Sequence, residues 1–313
     1  MDAMDQSRMP LTTAAAVTFF YAIGYPIGAL AVAGMTPMAV LVLRFGLAAI
    51  ILACWAAVAR AAWPRGAQFG HVAVAGLLIQ AVQFCCLYEA LLLGAPAVLG
   101  AVVIAMNPVI TAILAAIFLR EPLGTRRVAA LVLGVVAVLA ACATRLASTH
   151  GVDPVIALLA VALLGLSVGG VYQQRYCAGV DFRTMSALQN AVALIPAAAL
   201  AIVTPFAVHD ATKAAVAISG VVLLNATLAV SIYVRAISMH GAAAVAMLFA
   251  VIPAAAAVLS WLMLGQRPDV GVAVGLLAGG LACWLNSGAS RRARAPRPDP
   301  VPVRSELKEA AVG

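Results

Sequence analysis

Between Tyr88 and Gly134 the chain reads YEALLLGAPAVLGAVVIAMNPVITAILAAIFLREPLGTRRVAALVLG, and the same order of residues returns in its second half. The first copy places Tyr88, Glu89 and Ala90, then Gly94, Ala97, Pro108, Leu114, Glu121, Leu131 and Gly134. The second places Tyr233 and Ala236, then Gly241, Ala244, Pro253, Leu259, Gln266, Leu276 and Gly279. From Pro108 and Pro253 onward the copies keep a constant spacing of 145 residues. Alanine-rich apolar sequence produces single identities easily. The repeated order of Gly, Pro, a polar exit residue and Gly carries more weight, and a repeat of nearly half the chain sets the architecture.

Composition fixes the solvent. Hydrophobic residues make up 65% of the 313, charged residues 10%, and the mean hydropathy is +1.08. A soluble domain carries about 25% charged residues, so too little polar surface is available to cover a water-facing globule. The net charge of +8 forms no basic face of the kind that binds nucleic acid. Most of the basic residues stand instead at the ends of apolar runs.

Those runs are 11–33, 36–59, 70–93, 97–119, 126–144, 154–174, 184–206, 214–237, 242–264 and 270–288. Each is about 19–24 residues, enough to cross a hydrocarbon core of about 30 Å as a helix. Open strands would leave backbone groups unpaired in lipid, so ten transmembrane helices are expected. The first run is too long for a cleaved leader, and Asp2 and Asp5 oppose the single Arg8 before it. Short loops such as Gly34–Pro37 and Gly94–Pro96 make successive helices antiparallel neighbours.

Arg60, Arg65, Arg120, Arg126, Arg127, Arg175 and Arg183 occupy alternate loops, and Arg291, Arg292, Arg294 and Arg297 follow the last run. The opposite loops hold Arg145, Lys213 and Arg267. The positive-inside rule therefore predicts cytoplasmic termini in a bacterial inner membrane. Five helices per half is an odd number, so the second half enters the membrane from the other side. The expected organisation is a short leader (1–10), one five-helix repeat (11–145), its inverted copy (154–288) and a disordered tail (289–313). Inverted repeats that enclose a midplane site are a transporter architecture.

On these features the chain resembles the EamA-type family of the drug/metabolite transporter superfamily over residues 11–288. The resemblance rests on ten short-looped helices in two halves and on Arg44 following Pro37. It rests further on Pro108 before the exit Leu119-Arg120-Glu121-Pro122, and on Gly134. The second half departs from the pattern, with Gln266 in place of the exit Glu and Asn190 aligned with Arg44. The resemblance implies export or exchange of a small metabolite and leaves the metabolite open.

Ionisable side chains inside a span are costly and face a cavity or a partner. Arg44 either grips a substrate carboxylate bidentately or snorkels and pairs at a helix end. Glu89 either couples transport to protons through a raised pKa or is an interfacial carboxylate. Arg235 is explained by the positive-inside rule. Gln80, Gln83, Asn107 and Asn225, with the phenols of Tyr21, Tyr25 and Tyr88, are candidates to bind a polar substrate against apolar walls. Gln189 and Asn190 are further polar residues of the seventh run. Interhelical bonding, at about 0.6 kcal/mol per contact, is the competing role for each.

Pro26, Pro108, Pro196 and Pro253 are expected to interrupt the first, fourth, seventh and ninth runs, with Pro108 and Pro253 as hinges at equivalent places. Gly24/Gly28, Gly165/Gly169 and Gly271/Gly275/Gly279 offer smooth faces for close helix packing, or in the last case a homodimer contact. Cys54, Cys85, Cys86, Cys142, Cys177 and Cys283 form no C-x-x-C pair, and no phosphate-binding loop occurs. Neither metal nor cofactor is expected. Gly165-Leu166-Ser167-Val168-Gly169 matches a nucleophile-elbow pattern, but a serine hydrolase needs a strand-to-helix turn there, and this stretch reads as continuous helix. The expected function is transport of a small metabolite, amino acids first, with lipid and that solute as its partners. A drug or sugar carrier and a passive channel are the alternatives.

Overall fold

The computed structural model describes residues 10–119, 153–204, 206–240, 245, 247–267, 270–274, 276–278 and 280–281, with scattered helical positions between 125 and 140. Glu121, Leu131, Gly134, Gly241, Ala244, Gly275, Gly279, Cys142, Cys283 and the expected tail lie outside the described residues, as does most of the fifth run.

The described helices are α1 (Leu11–Gly34), α2 (Pro37–Val58), α3 (Ala67–Leu92), α4 (Ala97–Ile104), α5 (Asn107–Leu119), α6 (Pro154–Tyr176), α7 (Phe182–Val203), α8 (Ala211–His240) and α9 (Ile252–Leu264). Seven spans among the described residues are long and apolar enough to cross a membrane: α1, α2, α3, the stretch Ala97–Leu114, α6, α7 and α8. α9 is shorter, and the fifth and tenth runs are described only in part, so the count of ten remains the expectation from sequence.

Local chemistry sets the boundaries. α2 starts with Pro37 at a position whose amide has no helical partner in any case. Asp153, Asp181 and Asp210 cap α6, α7 and α8, accepting bonds from Val155, Arg183 and Lys213 amides at 2.8, 2.8 and 3.0 Å. α9 ends on Gly265 at φ 66°, the left-handed conformation that glycine adopts without strain.

The bundle is apolar outside, and its largely apolar interior encloses a minority of polar side chains. Val58, Ile202 and Val203 are among its most exposed side chains, whereas Arg44, Gln80, Gln189 and Asn190 are completely buried. An apolar exterior over a packed interior suits lipid.

Contacts between the halves are reciprocal. α2 packs on α7, α1 on α8, and α6 on α3. α1 runs parallel to α3, since Gly28 lies by Tyr88, whereas α6 runs antiparallel to it. His71 near the start of α3 meets Tyr172 near the end of α6. The two repeats are thus inverted about their interface. At the Gly34 end, loops from both halves join: the Thr36 amide donates to Ala207 O at 3.0 Å and the His209 amide to Gly34 O at 2.8 Å. At the opposite end, which carries His240, the Thr184 hydroxyl donates to Ala62 O.

Two expectations about proline are corrected. Pro26 and Pro196 lie within continuous helices. Packed neighbours and small local adjustments compensate the lost amide in a membrane bundle. The breaks occur instead just before Pro108 and Pro253. Helix stops at Ala105–Met106 and resumes at Asn107, and a 3-10 turn (Met247–Ala250) precedes α9.

A feature absent from the sequence reading is a π-helical segment in each half, Leu77–Val82 within α3 and Val221–Ala229 within α8. Such segments insert extra backbone into a helix and occur frequently at functional sites. The 145-residue spacing relates them: Gln80 falls on Asn225, Tyr88 on Tyr233 and Gly24 on Gly169. Each of these glycines packs on the π segment of the other half. A Cβ on Gly24 would collide with the Asn225 amide, and one on Gly169 would lie 2.6 Å from Ile79 Cγ1.

Candidate functional site

α1, α3 and α8 enclose a central cavity lined by Tyr21, Gly24, Tyr25, Gln83, Phe84, Leu87, Tyr88, Leu91 and Asn225. The free space is about 10 Å³, barely a water's worth, so this conformation holds the site closed. Leu91 also belongs to a larger vestibule of about 490 Å³ at the Gly34 end, between Ala29, Ala33, Leu92, Pro96, Gln266 and Arg267. Toward the other end the Tyr21 ring packs on Tyr233 at 5.4 Å and on Phe249 at 5.1 Å. Beyond this aromatic floor, a crevice of about 280 Å³ opens between Gln173, Cys177, Ile237 and His240. Two openings on opposite ends with a closed polar centre are the parts that alternating access requires.

Five of the sequence candidates line the centre. The Asn225 amide reaches Phe20 O at 3.4 Å, a long bond that leaves its other amide capacity toward the cavity. The Tyr21 hydroxyl and Gln83 Oε1 are buried with no hydrogen-bond partner. Tyr25 and Tyr88 complete the polar wall. Gln80 lies in the π segment, fully buried, with neither amide atom paired. Leaving a buried donor or acceptor unpaired costs about 1–3 kcal/mol. Such groups around a cavity suit a polar ligand.

Arg44 sits behind this wall. It is fully buried on α2, with its guanidinium carbon 3.3 Å from the centre of the Phe84 ring, itself a cavity residue. Tyr21 lies within electrostatic reach and the Tyr88 hydroxyl approaches the guanidinium, but none of its three nitrogens meets an acceptor in good hydrogen-bond geometry. It neither reaches solvent nor pairs with a carboxylate among the described residues. At the repeat spacing Gln189, one residue before Asn190, takes Arg44's place in the second half.

Other candidates lie apart. Asn107 accepts from the Ser167 hydroxyl at 2.8 Å and from Thr111 at 3.1 Å, which ties α5 to α6. Glu89 is half-buried and lines neither the central cavity nor the vestibule. Exposed Arg235 extends over the Phe182 ring. Pro108 and Pro253 flank the helix breaks and line none of the three cavities.

Ser167 is fully buried inside continuous α6, with no turn to present its oxygen. Ser167→Ala is therefore expected to change stability by less than about 1 kcal/mol, because Asn107 keeps Thr111 as a donor. A fluorophosphonate probe should label neither the parent nor the variant, as intact-mass measurement will report.

Apolar Phe84, Leu87 and Leu91 were missed because a mid-span aromatic or leucine is indistinguishable in sequence from one that packs. The spacing that pairs Gln80 with Asn225 was the available signal for the π segments.

The EamA-like transporter family matches the chain twice, over residues 8–142 and 154–288. A solved crystal structure is similar over 91% of this chain and 99% of its own, at a TM-score of 0.64 and 18% identity. At that identity the likeness concerns the fold alone. No curated protein matches.

Proposed function

The chain belongs to the EamA-like transporter family, and from that premise we propose that it carries a small polar or amphipathic metabolite, amino acids first, by alternating access. The membrane is the bacterial inner membrane, with both termini cytoplasmic. The observation that carries the proposal is the closed central cavity between helices of both repeats, walled by the unpartnered Tyr21 hydroxyl and Gln83 Oε1 and flanked by an opening at either end. Phenol rings and amides suit a zwitterion: the rings attract an ammonium, and the amides bond its polar atoms. A carrier alternates by exchanging which opening meets the centre, and the α1–α8 and α3–α6 contacts are equivalent surfaces on which to do so.

Counterflow in proteoliposomes tests this. Vesicles preloaded with each unlabelled amino acid are given its labelled counterpart, and transient accumulation of at least one is expected. A flat response across the panel refutes the amino-acid assignment and brings forward sugars, cationic drugs and the passive channel. Proton coupling is tested in the same vesicles with Glu89→Gln. Because Glu89 lines neither the central cavity nor the vestibule, pH-driven accumulation is expected to be unaltered. Its loss with counterflow intact would assign coupling to Glu89.

A further inference from the structure

The repeat symmetry isolates one place where the two halves differ in chemistry. In the second half Gln189 of α7 donates to Gln173 Oε1 of α6 at 2.9 Å, and both side chains are buried. The equivalent positions in the first half are Arg44 and Gly28. The donor has become a cation, and the acceptor has been deleted. A Cβ on Gly28 would lie 3.2 Å from the Tyr88 hydroxyl, so Tyr88 leans across the gap. Its hydroxyl interacts with the guanidinium without reaching good hydrogen-bond geometry, and as a neutral group it does not balance the charge. The described acidic residues do not fill the role either. Asp153, Asp181 and Asp210 cap helices, and no ion pair joins Glu89 to Arg44.

We propose that Arg44 is one half of an anion site, and that the missing half is a carboxylate of the transported solute, bound beside Phe84 and the Tyr88 hydroxyl. This rests on the carrier reading above and names the substrate class of that site: a compound with one carboxylate group. The guanidinium offers a planar fork that matches a carboxylate bidentately. Phe84 orients that fork from one face, and the phenol of Tyr88 supplies a further donor. In the second half Gln189 and Gln173 share one bond and neither carries a charge, so the inverted position offers an anion no cation. The site is therefore single, and recognition of the carboxylate belongs to the first repeat alone. A zwitterion would keep its ammonium among the phenol rings of Tyr21 and Tyr25. A solute bearing two carboxylates would have no second cation to meet among the described residues lining the centre.

Arginine modification reads this without relying on transport. The purified protein in detergent is treated with phenylglyoxal, and adduct formation at each arginine is followed by peptide mass spectrometry. The added compounds are single amino acids, the corresponding amino-acid amides, benzoate, benzamide and chloride. A carboxylate compound is expected to slow modification of Arg44 by about tenfold or more, as a charge-assisted pair of bonds supplies. Its amide is expected to have no such effect, and Arg235, exposed on α8, should react equally in every arm.

Arg44→Lys is expected to bind the protecting compound about tenfold to a hundredfold more weakly, because the ammonium keeps the charge and loses the fork. Protection by amides equal to that by carboxylates overturns the proposal. Equal protection by chloride overturns it as well, and assigns the site to an inorganic anion. Arg44 left unmodified in every arm also overturns it, because a path for the solute admits a reagent of that size. Failure of counterflow together with Arg44 protection removes the carrier reading and leaves the anion site. Counterflow of amino acids without Arg44 protection does the reverse.

Discussion

Gly76→Ala and Gly169→Ala are expected to melt at lower temperature than the parent, each losing about 1–3 kcal/mol, the usual cost of forcing a methyl into a filled interior. Gly76 stands immediately before the first π segment, where its Cβ would lie 2.7 Å from the Cα of Gln189 on α7. The obstacle is main chain, so no rotamer change relieves it. Gly169 meets Ile79 at 2.6 Å and that residue's backbone nitrogen at 3.2 Å, so α6 would be pushed off α3. Gly70 is the control. It occupies the same helix as Gly76, and nothing lies within 4 Å of its added Cβ.

Thermal unfolding in detergent, followed by tryptophan fluorescence, separates the variants. Gly76→Ala melting together with Gly70→Ala would refute the close α3–α7 contact. Gly24→Ala should behave differently from both. Its Cβ meets the end of the Asn225 side chain rather than backbone, and that amide can swing away. Stability is expected to change little, while exchange is expected to fall because Asn225 is displaced within the cavity.

Sequence made the bundle legible and left the site half-legible, for different physical reasons. Lipid imposes length and apolarity on every spanning segment, so the seven membrane-length spans match predicted runs closely, as α2 at Pro37–Val58 matches 36–59. The repeat spacing likewise located the equivalent breaks before Pro108 and Pro253. Helix interruption was mistaken at Pro26 and Pro196 because proline removes one bond in any helix, and only tertiary packing decides whether the helix continues. The π segments left no trace in composition, since Leu77–Val82 and Val221–Ala229 are as apolar as their flanks. Among the polar candidates, type alone could not separate Asn107, with two hydroxyl donors, from Gln80, which has no partner. That distinction depends in part on what lies across the interface, and Ser167, which reaches Asn107 from α6, is sixty residues away in the chain.

Arg44→Met is expected to raise the melting temperature of the ligand-free protein while abolishing exchange of the solute. Two contributions decide the sign. The guanidinium gains attraction from the Phe84 ring 3.3 Å away, which a desolvated contact of this kind makes worth about 2 kcal/mol. Against it stands the burial of a cation with no anionic partner and no well-aligned acceptor on any nitrogen, a penalty of several kcal/mol after relaxation. Methionine fills a similar volume, packs on the same ring through its sulfur, and carries no charge to desolvate. Removing the unpaired charge should therefore stabilise the empty protein.

Ligand reverses the order. A solute at 100 times its dissociation constant stabilises the parent by about 2.7 kcal/mol and leaves a variant that cannot bind it unchanged. Melting curves of parent and Arg44→Met, each with and without the amino acid that best protects Arg44 from phenylglyoxal, contain the whole comparison. A variant that melts below the parent in the absence of solute would show that Arg44 holds the helices together. In that case the cation is part of the scaffold, and the solute's carboxylate is not what it awaits.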